Sequence, residues 1–547
     1  MKRIVSRILL GMAALVGAMM VYLVATGLPP EIAGHTIKLK NLRKPFIFLL
    51  LLFAGGIALD TDARGGVARG KDAALRFISH PASVWLLAGV YGLLFLWQQL
   101  SEYFGVNINF IPFGFYDYML YYLFQGKVNF TGLLHEYYHL NNILIFLAPL
   151  WQCFRSPLFL TVIYGFIASA AAIPLYGIAR RRFSEAWIPF VVCLIYLNYR
   201  YLQNVLLMNF SVEIFYPLFV FLALYFAMRK WWWAYFLSVF LGLTVKEDSF
   251  LYFSALGVLV FFMKDRRQGI ATVLGSLIYF FLLIRWFVPY TESTILQGDL
   301  RNFSDQGDSM AGIAKNIISN PSLVFFYLFG SWAKWRTLIK LASRLMFLPL
   351  CSPSVFLILV PLFPLFLQGG GATENFVDLR FHYAAAVIPF VFIAFVFGFS
   401  NFEKKLSPKW RRAVLLGVCF FLLLLNGGNY ATKKVTKESL ESIAWARSIP
   451  PDANLVTHGH LLPYIGYRKY NYYFAVPFER EDHPAHQPFS EADYYLIDLH
   501  VNLYPMDENY FREKIEVLGQ DNRYELVRQE GERYLFRRKD IGNERKQ

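Results

Sequence analysis

The chain has 547 residues, is 56% hydrophobic and 18% aromatic, and only 17% of it is charged, which excludes an ordinary soluble protein. Its formal charge of +15 would fit nucleic acid, but much of it lies in short clusters flanking apolar runs, where retention of Lys and Arg in cytoplasmic loops explains it. Cys153, Cys193, Cys351 and Cys419 are widely spaced, so neither a disulfide framework nor a metal site is expected from them.

In chain order, Met1 to Arg7 and the apolar run Ile8 to Val24 resemble a secretory signal. No small-residue cleavage site follows, and the run is read as a first permanent span. Spans are then expected near 8–28, 45–60, 83–99, 157–179, 186–202, 212–228, 232–247, 249–263, 269–289, 337–351, 354–368, 383–399 and 413–429, about thirteen in all. Lys340 and Arg344 make 337–351 an alternative candidate for an interfacial helix. Lys2 to Arg7, Arg64 to Arg76, Arg180 to Arg182, Arg229-Lys230, Lys264 to Arg267 and Lys404 to Arg412 share one parity and are assigned to the cytoplasm. Lys38 to Lys44 breaks that rule.

The expected fold is mainly α and polytopic, in three parts: N-terminal spans and a cytoplasmic loop over 1–82, a membrane domain over 83–429, and a C-terminal extracytoplasmic α/β domain over 430–547. Outside the membrane, 100–156 contains two segments short of a span, Tyr116 to Phe124 and His139 to Trp151, which read as interfacial helices roofing a site. In the tail, Thr436 to Arg447 and Met506 to Leu518 read as helices and Asn454 to Thr457 and Tyr494 to Asp498 as strands. Tyr524 to Gln529 and Tyr534 to Arg538 form a hairpin around Glu530-Gly531-Glu532.

The polar residues capable of chemistry collect on the outer side. Asp117, among the aromatics of Gly114 to Tyr118, suits a general base whose proton affinity is tuned by a low-dielectric wall, or else caps the following helix. His135-Glu136-Tyr137-Tyr138-His139 matches the zinc-protease spacing literally, but it lacks an obvious third ligand nearby and lies in an aromatic loop. Glu213, beside Asn209 and Ser211, opens a span and is either a functional acid or a helix-start carboxylate. Lys246, Glu247 and Asp248 stand between two apolar runs, offering a cation for phosphate and acids for a metal or hydroxyl, or a salt-bridged turn. Arg380 and His382 precede a late span and could add phosphate contacts, with snorkelling as the plainer role for Arg380.

These blocks, in this order, resemble the membrane-protein family called domain of unknown function 2079, related to the GT-C glycosyltransferases. They are Phe115-Tyr116-Asp117, His139 with Leu147 to Leu150, Pro174 to Tyr176, Asn209 to Glu213, Lys246 to Asp248, and His382-Tyr383 before Ile388 to Phe390. Two positions depart from the pattern: Tyr138 stands where an acid precedes the histidine, and Asn209-Phe210-Ser211-Val212-Glu213 replaces Asp-Phe-His-Pro-Glu. Either a metal-assisted step is absent or the substrate differs.

The resemblance implies a GT-C-like fold in an inner, cytoplasmic membrane and an inverting glycosyltransferase. Asp117 would deprotonate the hydroxyl of a lipid, glycan or protein acceptor while a polyprenyl-phosphate sugar donor lies in the bilayer. Lys246 and Arg380 would hold the donor phosphate. Glu213 and His139 would orient the acceptor or help bind a divalent cation, the one cofactor left open. Two other classes compete: a transporter or flippase of a lipid-linked sugar, for which no internal repeat is evident, and an assembly protein whose tail binds a partner.

Overall fold

A computed structural model describes residues 75–108, 113–125, 139–208, 210–287, 310–367, 373–427, 434–466, 492–503 and 506–540, together with the backbone of short strands at 31–32, 35–36 and 471–473. The expected spans 8–28 and 45–60, the cluster Lys38 to Lys44, and His135, Glu136 and Asn209 lie outside the described residues. Two two-residue strands, β1 (Glu31–Ile32) and β2 (His35–Thr36), pair antiparallel.

The described chain is mainly helical. Five helices are long and apolar enough to cross a membrane: Ala82–Phe104, Leu158–Arg180, Val212–Arg229, Arg266–Trp286 and Val387–Lys405. Shorter apolar helices accompany them at Ile143–Phe154, Ile188–Leu197, Trp232–Leu243, Ser249–Phe262 and Pro353–Leu367. Some expected spans are thus interrupted. The segment 186–202 breaks at Tyr199, whose extended backbone separates Ile188–Leu197 from Arg200–Leu206. The segment 337–351 becomes the helix Trp332–Ser343 followed by a 3-10 turn, Leu348–Cys351. That helix leaves Trp332, Trp335 and Ile339 exposed beside Arg336 and Lys340, the composition of a helix lying along an interface.

Val387–Lys405 is the axis of the bundle, with nearly every apolar side chain buried. Glycine lets its neighbours close up. A Cβ on Gly257 would stand 2.9 Å from the Gly269 carbonyl oxygen, and one on Gly269 would stand 2.6 Å from that of Gly257. Hence Ser249–Phe262 and Arg266–Leu282 pack backbone to backbone, the small-residue contact by which helices associate in lipid.

The helix ends meet in two sets. At one end, Glu403 accepts from the backbone N–H of Ser184 and Glu185 at 3.2–3.4 Å, Ser400 donates to the Arg182 carbonyl at 2.8 Å, and Lys230 pairs with Asp265. At the other, Gln99 donates to Leu206 O and Tyr164 to Val205 O, both at 2.6 Å. The Ile143 amide reaches Thr244 O at the same distance. The first end carries the basic clusters of Arg180 to Arg182, Arg229-Lys230 and Lys404-Lys405; the second carries His139, Glu213, Glu247 and Asp248.

Beyond Asn426 the chain builds a small mixed sheet. Strands β3 (Leu455–Thr457), β4 (Asn471–Tyr473), β5 (Tyr494–Asp498), β6 (Tyr524–Glu530) and β7 (Arg533–Arg538) take the order β4-β3-β5-β7-β6. β3 is parallel to β4 and β5, while β7 is antiparallel to β5 and β6. Gly531, at φ +59°, makes the expected hairpin turn between β6 and β7, a left-handed position glycine occupies without steric cost. Thr436 caps the helix Lys437–Ser448 in a reciprocal box with Ser439, and Asp507 caps Glu508–Gln520.

Alternation along the strands explains how this domain sits. Leu455, Leu496 and Leu535 join Ile443 and Trp445 in the same buried core as the membrane helices. Val456, Tyr495, Ile497 and Phe536 point the other way, onto Phe511 and Leu518 of Glu508–Gln520. The sheet is therefore continuous with the bundle on one face and covered by its own helix on the other.

Candidate functional site

Asp117 lies in the first turn of Phe115–Phe124. It does not cap that helix, whose N-cap position is Gly114 and has no side-chain hydrogen bond. The carboxylate is 3% exposed and accepts a 2.8 Å hydrogen bond from the indole N–H of Trp151 on Ile143–Phe154. The two short aromatic helices outside the spans are thus joined at the acid. That acid lines a cleft of about 190 Å³ between the bundle and the C-terminal domain.

The bundle contributes Tyr103, Gly114, Asp117, Tyr118 and the turn Arg155-Ser156-Pro157 to this cleft; the C-terminal domain contributes Arg447, Leu462 to Tyr464 and Gly466. Two tyrosines cross the seam in opposite directions. Tyr118 donates to the Gly466 carbonyl at 3.0 Å, and Tyr464 donates to the Tyr103 carbonyl. The Tyr103 and Tyr464 rings pack with centroids 4.8 Å apart, and Arg447 hydrogen-bonds the Tyr103 side chain. Arg155 caps Ile143–Phe154 in the left-handed region at φ 43°, an uncommon position for a residue other than glycine, and its guanidinium lies over Phe124.

A second constellation gathers most of the other expected residues. Glu213 accepts from Ser211 and pairs with Lys246 at 3.4 Å and His382 at 3.7 Å. Glu247 takes His139 Nδ1 at 2.6 Å and the Leu140 amide at 2.9 Å. Asp248 accepts from Tyr216 at 2.9 Å and Tyr252 at 2.7 Å. Glu213 and Glu247 are buried and Asp248 is half-buried, and each carboxylate is matched by hydrogen-bond donors or cations, as burial of charge requires. Although a quarter of the His382 side chain reaches the exterior, its surroundings hold the imidazole down to about 4; burial is the main cause, opposed by Glu213 and assisted by Lys246.

Arg380 lies elsewhere. It shares Asp378 with Arg336 and Lys340, at 3.4, 3.1 and 3.6 Å. Thus His139, Glu213, Lys246, Glu247, Asp248 and His382 come together, Asp117 faces the seam cleft, and Arg380 stands apart, sharing Asp378 with Arg336 and Lys340 of the helix Trp332–Ser343. Lys246 is engaged with Glu213 and Arg380 with Asp378; the cations that line the cleft beside Asp117 are Arg155 and Arg447. Nothing in their local sequence marks these two, since one ends a short apolar helix and the other sits on an amphipathic helix of the tail. Among the described residues, no three metal-binding side chains form a cation site.

The family described as Predicted membrane protein (DUF2079) matches residues 112–535, well over half of the chain, and the chain belongs to it. The match spans both walls of the seam cleft and the buried ion network. No curated protein matches the sequence.

Proposed function

We propose that this member of the family is an integral-membrane glycosyltransferase of GT-C type, moving a sugar from a polyprenyl-phosphate-linked donor to an acceptor hydroxyl of the cell envelope. The carrying observation is the placement of Asp117: a buried, indole-anchored carboxylate on the wall of a cleft that two arginines, Arg155 and Arg447, also line. In this reading the basic clusters stay in the cytoplasm, as Lys and Arg generally do, and the acid-bearing end and the C-terminal domain lie on the outer face of an inner membrane.

In this reading Asp117 accepts the proton of the acceptor hydroxyl as its oxygen bonds to the anomeric carbon. The carbon–oxygen bond to phosphate breaks on the opposite face, the electron pair leaves with the phosphate, and the sugar is inverted. Glycosylated acceptor and polyprenyl phosphate are the products. Trp151 fixes the carboxylate's direction, which is what a general base needs to meet the hydroxyl at hydrogen-bonding distance. The network of Glu213, Lys246, Glu247, His139 and His382 holds the helix ends behind the cleft in one arrangement.

Incubating purified protein with radiolabelled polyprenyl-phosphate sugars and a panel of envelope acceptors, with and without chelator, tests this reading. Label should pass to an acceptor, and the Asp117→Asn protein should transfer it at least about a hundredfold more slowly. A lipid-linked-sugar transporter is the second reading, favoured by the buried ionisable network at the helix ends. It predicts donor movement across a vesicle membrane without any glycosylated product.

A further inference from the structure

The seam cleft differs from the ion network in the sign of its charge. Its lining holds one acidic residue, Asp117, and two arginines, Arg155 and Arg447, so basic side chains outnumber acidic ones beside an open mouth. Ser156 and Pro157, also in its wall, begin the helix Leu158–Ala170; its first amides already bond Ser156 and Pro157, so the helix adds the positive end of its dipole rather than free donors. The remaining lining is apolar or aromatic, with Tyr103, Tyr118 and Tyr464 beside Leu462, Pro463 and two glycines. Guanidinium groups, a hydroxyl and a helix start together suit a tetrahedral oxyanion, because arginine can bond two of its oxygens at once. Flat tyrosine faces beside them suit the rest of an amphipathic ligand.

We propose that the seam cleft binds a phosphate ester, with Arg155 of the bundle and Arg447 of the C-terminal domain on its oxygens. The inference deepens the glycosyltransferase reading and rests on it for the identity of the ester as glycosyl donor or departing lipid phosphate. It reassigns the phosphate from Lys246 and Arg380, which pair with the carboxylates of Glu213 and Asp378, to two arginines that line the same cleft as the proposed base, one of them bonded to the Tyr103 hydroxyl and the other over the Phe124 ring. The C-terminal domain becomes half of the binding site: without Arg447 and the Tyr464 to Gly466 wall, the cleft has one side.

The test is direct binding to the full chain in lipid nanodiscs, using farnesyl phosphate, farnesol, glucose 1-phosphate and inorganic phosphate as probes. Farnesyl phosphate should bind at least tenfold more tightly than farnesol. Arg155→Ala and Arg447→Ala should each weaken it roughly ten- to hundredfold, the scale of a charge-assisted hydrogen bond lost to a charged ligand, and Arg447→Lys should weaken it less. Asp117→Asn should bind as well as the parent or better, since a like charge near the phosphate is removed. Equal binding of glucose 1-phosphate would keep the phosphate site and make its source soluble. Farnesol binding as tightly as its phosphate, which requires no variant, overturns the proposal, as do both arginine variants binding like the parent while melting normally. If the arginine variants lose binding but Asp117→Asn transfers sugar at the parent rate, the base assignment fails and this site stands.

Discussion

The buried network around Glu213 and the seam cleft around Asp117 use the same residue types to opposite ends. In the network, carboxylates, imidazoles and an ammonium answer one another inside the protein: Glu213 with Lys246 and His382, Glu247 with His139, Asp248 with two tyrosines. In the cleft, an acid and two arginines line a space open to the exterior. Charges satisfied by one another specify packing; charges arranged around a hollow can meet a ligand. The difference teaches that an ionisable residue at a membrane helix end is a functional candidate only once its partners are known.

The largest effect that would sharpen this contrast is on transfer. Asp117→Asn keeps the Trp151 contact geometrically possible but removes the proton acceptor, and sugar transfer should fall by roughly 10²- to 10⁴-fold, the usual weight of a general base. Radiometric transfer at matched protein concentration measures it, and an unchanged melting temperature should accompany the loss. In the network the signature is reversed. Glu213→Gln leaves Lys246 buried without its carboxylate and should destabilise the protein by about 3–5 kcal/mol, as removing one partner of a buried pair does. Glu213→Gln combined with Lys246→Met should recover much of that stability, and denaturation of both proteins would show it.

Acid offers a third comparison. His382 is held down to about 4 and His458, fully buried in the C-terminal domain, to about 3, in each case chiefly by burial. In the unfolded chain both take up protons near 6.5. Stability is therefore complete above that pH and declines as pH falls from about 6.5 towards those lower values, because the unfolded state binds protons first. His458 has a geometric reason as well: its Nε2 accepts the Asp498 amide N–H at 2.9 Å, a bond that protonation abolishes. Thermal melts between pH 7 and 4 should show the decline, and His458→Gln should flatten part of it. The smallest effects belong to the seam. Tyr118→Phe and Tyr464→Phe each delete one hydrogen bond between the domains, at about 1 kcal/mol. Hydrogen exchange around Gly466 and Tyr103 should rise while the rest of the bundle keeps its protection.

Local patterning carried the elements whose signal is periodic. The strand Tyr494–Asp498 and the hairpin around Gly531 fall where alternation and a turn residue place them. The short aromatic helices before and after 126–138 were likewise legible from length and composition. Span boundaries were less so, because apolar content does not reveal where a helix breaks, as it does at Tyr199. The site was legible residue by residue rather than in its grouping. His139 and Glu247 are 108 positions apart, and Tyr118 and Gly466 348 apart, and nothing local specifies such pairings. For the same reason Arg155 and Arg447 escaped notice: each becomes conspicuous only when the tail packs against the bundle.

The central claim is that the cleft performs chemistry while the network holds structure. Side-by-side assay of Asp117→Asn and Glu247→Gln, each scored for sugar transfer per folded molecule and for melting temperature, separates the two roles. The account predicts a folded, inactive Asp117→Asn protein and a Glu247→Gln protein that melts early yet keeps its turnover per folded molecule. An Asp117→Asn protein with parental transfer, or a fully stable Glu247→Gln protein with none, would contradict it.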